Sequence, residues 1–229
     1  MEEETIMIPT VTEVEVKETL AKLVDSSNMP YILKLIGIKK IKFSFMRSLN
    51  PIVDQVCDCL LINADIAAIT LTNFLIERTL KLAVIIKEGK GKTYNGDIPL
   101  DQVFKEEIEM YDNKKMEQII NRGKSLGIIT KEESEFLKGY RVKYRNPFSH
   151  AELGAILTGV TVTTYEASLS NPTDMVEKKA SLSTTPLFQD WGLVQYCKKH
   201  SFAYFIEIVV LAHKIEERLQ ELYASNRKC

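Results

Sequence analysis

The chain has 229 residues, 45% of them hydrophobic, which is enough to bury a full core in one domain. Thirty basic against 31 acidic residues leave a net charge of -1, so bulk charge marks neither a nucleic-acid nor a membrane binder. The cysteines Cys57, Cys59, Cys197 and Cys229 show no disulfide-framework spacing, and the acidic start Met1-Glu2-Glu3-Glu4 lacks the parts of a secretory leader, so a cytoplasmic protein is expected.

Thr12 and Glu15 have the Thr-x-x-Glu form of a capping box, and Val16, Leu20, Leu23 and Val24 follow at helical spacing, which predicts a short amphipathic helix ending before Met29-Pro30. Residues 26–53 contain no acid, while Lys34, Lys39, Lys40, Lys42 and Arg47 alternate with Tyr31, Phe43 and Phe45. Two readings fit. Lys39, Lys40 and Lys42 could hold phosphates while the rings stack on unpaired bases, or the segment is a solvated helix or strand whose rings face the core.

Asn50-Pro51 reads as an N-cap and a first-turn proline, and the helical pattern from there runs to about residue 87. Val53, Val56, Leu60, Ala64, Ala67, Leu71 and Phe74 form one apolar seam, and pattern alone leaves open one helix or two broken near Asn63. Residues 63–86 include Asp65, Glu77, Arg78 and Lys81, so this stretch is a buried helix and no membrane span. Glu77 and Lys81 stand one turn apart, as an ordinary ion pair does. Gly89-Lys90-Gly91-Lys92-Thr93 imitates a phosphate loop but has Ile86 where a glycine is needed and follows a helix, so it is read as a flexible basic loop.

Helices are expected over 99–111 and 113–126, with Gly127 as C-cap, and Thr130-Lys131-Glu132-Glu133 is a second capping box. It opens a helix with Phe136, Leu137, Tyr140 and Tyr144 on its buried stripe and Lys138, Arg141 and Arg145 on another face. The helix leads into Arg145-Asn146-Pro147-Phe148-Ser149-His150. Pro147 lacks an N–H and disfavours helical geometry at Asn146, so the helix should end or kink there. Unbroken helix would hold Arg145 and His150 roughly 140° apart around the axis, and a break lets them converge.

Residues 160–165 are β-branched and partly alternating, predicting a strand or hairpin, and residues 168–186 read as an exposed, mobile excursion. A last helix is expected over 190–223, apolar at Val194, Cys197, Tyr204, Phe205, Ile208, Leu211, Ile215, Leu219 and Leu222. The fold class is therefore all-α, a bundle of about five to seven helices with a small β-hairpin or loop excursion near 158–186. It forms a single domain over 1–229, with an N-terminal helical and basic segment 1–49 and an insertion at 155–188. Cys57-Asp58-Cys59 with Cys197 and His200 makes a poor zinc set, because residues two apart on a helix point to different faces, and neither metal nor cofactor is expected. His200 and His213 read as ordinary helix residues.

Arg145-Asn146-Pro147-Phe148-Ser149-His150 fits the Arg-polar-x3-His signature of the HEPN superfamily, and the helical frame resembles that fold. Glu77-Arg78-Thr79-Leu80-Lys81 is similar to a Glu-x3-Lys element of the family's early core helix, which makes Glu77 and Lys81 supporting candidates. The resemblance implies a metal-independent endoribonuclease acting as a homodimer on single-stranded RNA and leaving a 2′,3′-cyclic phosphate. Arg145, Asn146 and His150 would be catalytic, and Lys138 and Arg141 would bind flanking phosphates. It also suggests a toxin or phage-defence setting with a cognate antitoxin or regulatory protein as partner. The alternative is a non-catalytic HEPN-like module that binds nucleotides or proteins.

Overall fold

The computed structural model describes residues 29–89, 102–168 and 171–226, with the single positions 14, 92 and 99. The expected helix after Thr12, and most of the glycine-lysine loop after Gly89, lie outside the described residues. In chain order the helices are α1 (Met29–Lys40), α2 (Asn50–Leu61), α3 (Asp65–Glu88), α4 (Lys105–Tyr111), α5 (Met116–Ser125) and α6 (Lys131–Tyr140). A π-helical turn (Arg141–Arg145), α7 (Asn146–Ser149) and α8 (Leu153–Ile156) come next. The strands β1 (Thr161–Ser168) and β2 (Asn171–Ser181) then pair, and α9 (Pro186–Asn226) closes the chain. Among the described residues the protein is thus a helical bundle with a small antiparallel hairpin, as its composition and periodicity predict. No helix among the described residues is long and apolar enough to cross a membrane.

The spine is the packing of α3 against α9, whose 41 residues run for about 60 Å. Leu75, Ile76, Leu80 and Ala83 of α3 meet Tyr204, Phe205, Ile208, Ala212 and Ile215 of α9 in one core, joined by Val56 and Leu60 of α2, Ile119 and Ile120 of α5, and Leu137 of α6. Because α3 is covered on several sides, its apolar residues go most of the way round. Its buried hydroxyls Thr72 and Thr79 satisfy themselves by donating to the carbonyls of Ala68 and Leu75, each at 2.7 Å.

The helical run from Asn50 is two helices. Asn63 takes a left-handed φ of 56°, and Ala64 N–H reaches back to the Cys59 carbonyl at 2.7 Å in a Schellman closure. The break resets the helical phase, which corrects the seam drawn across it. Val53, Val56 and Leu60 are buried, but the inner face of α3 is Ala68, Ile69, Thr72, Leu75, Ile76 and Thr79, and Phe74 is 57% exposed. Asn50 does not cap its own helix either: a 3-10 turn (Arg47–Leu49) already feeds α2, and the Asn50 amide instead bonds both ways to the backbone of Phe43, at 2.8 and 3.0 Å.

Within the expected excursion, Asn171–Ser181 forms a strand despite the Ser/Thr content of the stretch. Strand β2 pairs with β1 from Thr161↔Ser181 to Ala167↔Met175, and α9 begins at Pro186, a turn earlier than expected. The hairpin base rests on a small satellite core of Ile156, Leu157 and Leu182, which Phe148 links to the bundle. Of the expected helix over 99–111, Lys105–Tyr111 is α4 and residues 100 and 101 lie outside the described residues; Gly127 ends α5 with a φ of 71°.

Candidate functional site

Arg145 is presented by a helix fixed at both ends. At the start, Thr130 and Glu133 form the capping box, with Glu133 N–H donating to Thr130 Oγ1 at 3.2 Å and Thr130 N–H to Glu133 Oε2 at 2.8 Å. Glu133 is also gripped by both Nη atoms of Arg218 on α9, each at 2.7 Å. Such fork-to-fork pairing clamps α6 to the spine.

At the other end the helix does not break at Pro147. The backbone widens over Arg141–Arg145 into a π turn, with Asn146 N–H bonding to the Arg141 carbonyl five residues back, and α7 continues directly through the proline. The extra residue makes room for a ring that would crowd the preceding turn of an ordinary helix. The chain leaves helical geometry at the C-cap His150, with a φ of -113°; Ala151 then adopts a φ of 51° and Glu152 N–H bonds to the Pro147 carbonyl at 2.9 Å. His150 therefore stays attached to the helix end. The expected convergence of Arg145 and His150 within one chain is corrected accordingly: Arg145 faces α3, whereas His150 is exposed and absent from the cleft beside Arg145.

Arg145 Nη2 lies 3.5 Å from Glu77 Oε2, Glu77 Oε1 lies 3.3 Å from Lys81 Nζ, and Lys81 donates to the Asp112 carbonyl at 2.6 Å. Both sequence candidates on α3, Glu77 and Lys81, thus join the Arg145 end of the motif. The Arg145 and Glu77 side chains keep 31% and 25% of their exposure, so their pairing is worth at most about 1 kcal/mol and leaves the guanidinium open to a stronger anion. A cleft of about 210 Å³ borders them, lined also by Thr70, Asn73, Phe74, Phe148 and Ser149. A second of about 160 Å³ adjoins it across Phe74 and Glu77 and adds Arg78, Lys81 and Asp112.

Beneath the first cleft is a buried polar link that sequence reading missed. Tyr204 donates to Asn73 Oδ1 at 2.6 Å, and the Asn73 amide reaches the Tyr144 carbonyl in the π turn at 3.4 Å. The rings of Tyr140 and Tyr144 stack on Tyr204 at 5.1 and 4.3 Å, and the Tyr140 hydroxyl bonds to Glu207. Burial raises the Tyr204 and Tyr144 hydroxyl pKa values and pushes that of Tyr196 up to about 12, so all three remain protonated donors. Burial, then Lys143 and Lys199, lowers the His200 pKa. Asn73 could have been suspected as a poor helix former inside an otherwise apolar helix.

The other basic candidates are mostly paired. Lys138 bonds to Glu135 at 3.2 Å and Arg141 to Glu117 at 3.1 Å, while the Arg141 Nε is buried without a hydrogen-bond partner. Lys39 pairs with Asp58 and Lys42 with Asp54 at 2.6 Å, so α2 supplies the carboxylates that residues 26–53 lack. Lys40 is exposed. Phe43 stacks on His213 at 4.1 Å and Tyr31 packs on Phe202 at 4.9 Å, so two of that segment's rings serve the core. Asn146 is half-buried beside the cleft-lining residues, with no side-chain partner among the described residues. Burial pushes the Cys57 and Cys197 thiols up to about 11 and about 12, so both stay protonated at neutral pH.

Comparison of the chain with protein-family models, curated proteins and solved structures gives no significant match.

Proposed function

We propose that the chain is a metal-independent endoribonuclease of HEPN type that cleaves single-stranded RNA as a homodimer. The observation that carries this reading is the partly exposed Arg145 beside a cleft, held lightly by Glu77 and supported through Lys81. A planar cation held this way can exchange a long pair with a carboxylate for two short bonds to phosphate oxygens. His150 has no side-chain hydrogen bond or ion pair among the described residues, which leaves its imidazole available as a base.

In the reaction, neutral His150 takes the proton of a ribose 2′-OH, and the 2′-oxygen bonds to the adjacent phosphorus. Arg145 neutralises the charge that builds on the phosphoryl oxygens. The bond to the 5′-oxygen then breaks. A proton returned by an imidazolium or by water completes a 5′-hydroxyl and leaves a 2′,3′-cyclic phosphate. Because Arg145 pairs with Glu77 beside the cleft while His150 is exposed and outside that lining, on this reading the site is composite, with His150 of the partner subunit completing it. A toxin or phage-defence role, restrained by a cognate protein, is the setting such an enzyme would suit.

The test uses labelled single-stranded RNA in EDTA. Wild type should cleave it, Arg145→Ala and His150→Ala should not, and mixing the two inactive variants with subunit exchange should restore about a quarter of the sites in a twofold dimer. Equal cleavage by all three proteins would exclude the mechanism. A second reading is favoured by the internal pairing of Lys138, Arg141 and Arg145 with Glu135, Glu117 and Glu77. Such pairing suits a non-catalytic nucleotide-binding or interaction module, and a stoichiometric protein partner with no RNA cleavage would select it.

A further inference from the structure

Phe74 is out of place for a core residue. It stands on α3, where most large apolar side chains are buried, yet it is 57% exposed and, with Glu77, forms the wall shared by the two clefts. One cleft carries Arg145, and the other carries Arg78 and Lys81. Lys81 is occupied by Glu77 and the Asp112 carbonyl, but Arg78 has no ion pair among the described residues. The ring thus lines one cleft together with the lightly held Arg145 and the other together with Arg78, while the Glu77 carboxylate common to both clefts is engaged by Arg145 and Lys81. This alternation of cation, aromatic face and cation matches the alternation of phosphate, base and phosphate in a single strand.

We propose that Phe74 is a stacking platform for one unpaired base of RNA, with the phosphate on one side of that nucleotide at Arg145 and the next at Arg78. The inference rests on the reading that this cleft receives RNA, and it adds the unit recognised: a single unstacked nucleotide, read by its π-face and therefore with little preference among bases. Paired RNA cannot offer that face. Nor does the platform need the 2′-OH, because it acts in binding and takes no part in proton transfer.

The experiment measures binding of a short fluorescein-labelled 2′-O-methyl RNA, which lacks the nucleophile and stays intact, to the full chain and its variants. Phe74→Ala and Phe74→Leu should weaken binding on the order of 5- to 100-fold, the range that base stacking on an aromatic ring supports. Phe74→Tyr, which keeps the ring, should bind as wild type does. Arg78→Ala should weaken binding and lower the slope of log affinity against log salt by about one phosphate contact. Duplex RNA should compete poorly. Sedimentation and thermal melting of each variant run alongside.

Wild-type affinity in Phe74→Leu would overturn the proposal, since an apolar contact would then suffice. So would equal competition by duplex RNA, failure of wild type to bind the strand, or conversion of a wild-type dimer to monomer by Phe74→Ala, which would place the ring in a self-interface. The two readings fail separately. Ring-dependent binding without cleavage of unmodified RNA removes the nuclease and keeps the platform, whereas cleavage with ring-independent binding does the reverse.

Discussion

The hydrogen bond between Tyr204 and Asn73 can be weighed by removing each partner and then both. Tyr204 is 2% and Asn73 7% exposed, and their 2.6 Å bond joins α9 to the helix facing the π turn. Tyr204→Phe strands the Asn73 oxygen in the interior, and Asn73→Leu strands the Tyr204 hydroxyl. Either should cost about 1–3 kcal/mol, the desolvation of one unpaired polar group. The double variant replaces both partners with apolar groups of similar shape, so it should cost no more than Asn73→Leu alone, which already gives up the Asn73 bond to the Tyr144 carbonyl. The coupling energy is then about 1–2 kcal/mol in favour of the pair. Urea unfolding followed by circular dichroism measures all three, and each 1 kcal/mol should also move Tm by roughly 2–4 °C at this chain length. Additive losses would refute the reasoning, because the two groups would then be stabilising the fold independently.

Glu216 is 4% exposed and its Oε1 accepts the backbone N–H groups of Phe45 and Met46 at 2.7 and 2.8 Å. Glu216→Ala should therefore cost about 3 kcal/mol in urea unfolding and Glu216→Gln distinctly less, since an amide oxygen still accepts. Ala151→Gly should raise stability by about 0.5–1 kcal/mol in the same assay, because a φ of 51° strains alanine more than it restricts glycine. The lowered His200 pKa gives a pH dependence with a definite sign. Below 6.5 the unfolded chain takes up a proton that the folded one resists, so stability should fall as pH drops from 6.5 toward the lower folded-state pKa, and His200→Gln should flatten that fall.

Features set within a single turn were legible in the sequence. The capping box at Thr130 and Glu133 and the closure at Gly127 follow from local chemistry, and both stand as their residue types imply. The seam through Phe74 failed because its phase depends on Asn63, whose left-handed conformation costs an asparagine little and leaves no mark in apolar spacing. Pro147 misled for a related reason. Its rule concerns an ideal helix, and one extra residue in the turn before it satisfies the same steric demand without ending the helix. The pairing of Arg145 with Glu77 spans 68 positions, so spacing could single out each residue but not bring them together.

That π turn also gives the six-residue motif its meaning. A five-residue gap in plain α-helix fixes the angle between Arg145 and His150, but each residue inserted into a helix rotates the downstream turns by roughly 100° relative to the upstream ones. The widening ends at Arg145 itself, so it sets how the helix before Arg145 is phased against α7 and His150 after it. Upstream, that phase turns the aromatic face of Tyr140 and Tyr144 onto Tyr204, and at the turn it directs Arg145 to Glu77. Downstream, it leaves His150 exposed. A motif whose cation is lightly held beside a cleft while its imidazole stays outside that cleft fits the proposed composite site better than one closed within a single chain. The Arg-polar-x3-His spacing therefore carries chemical information only together with the turn that phases it.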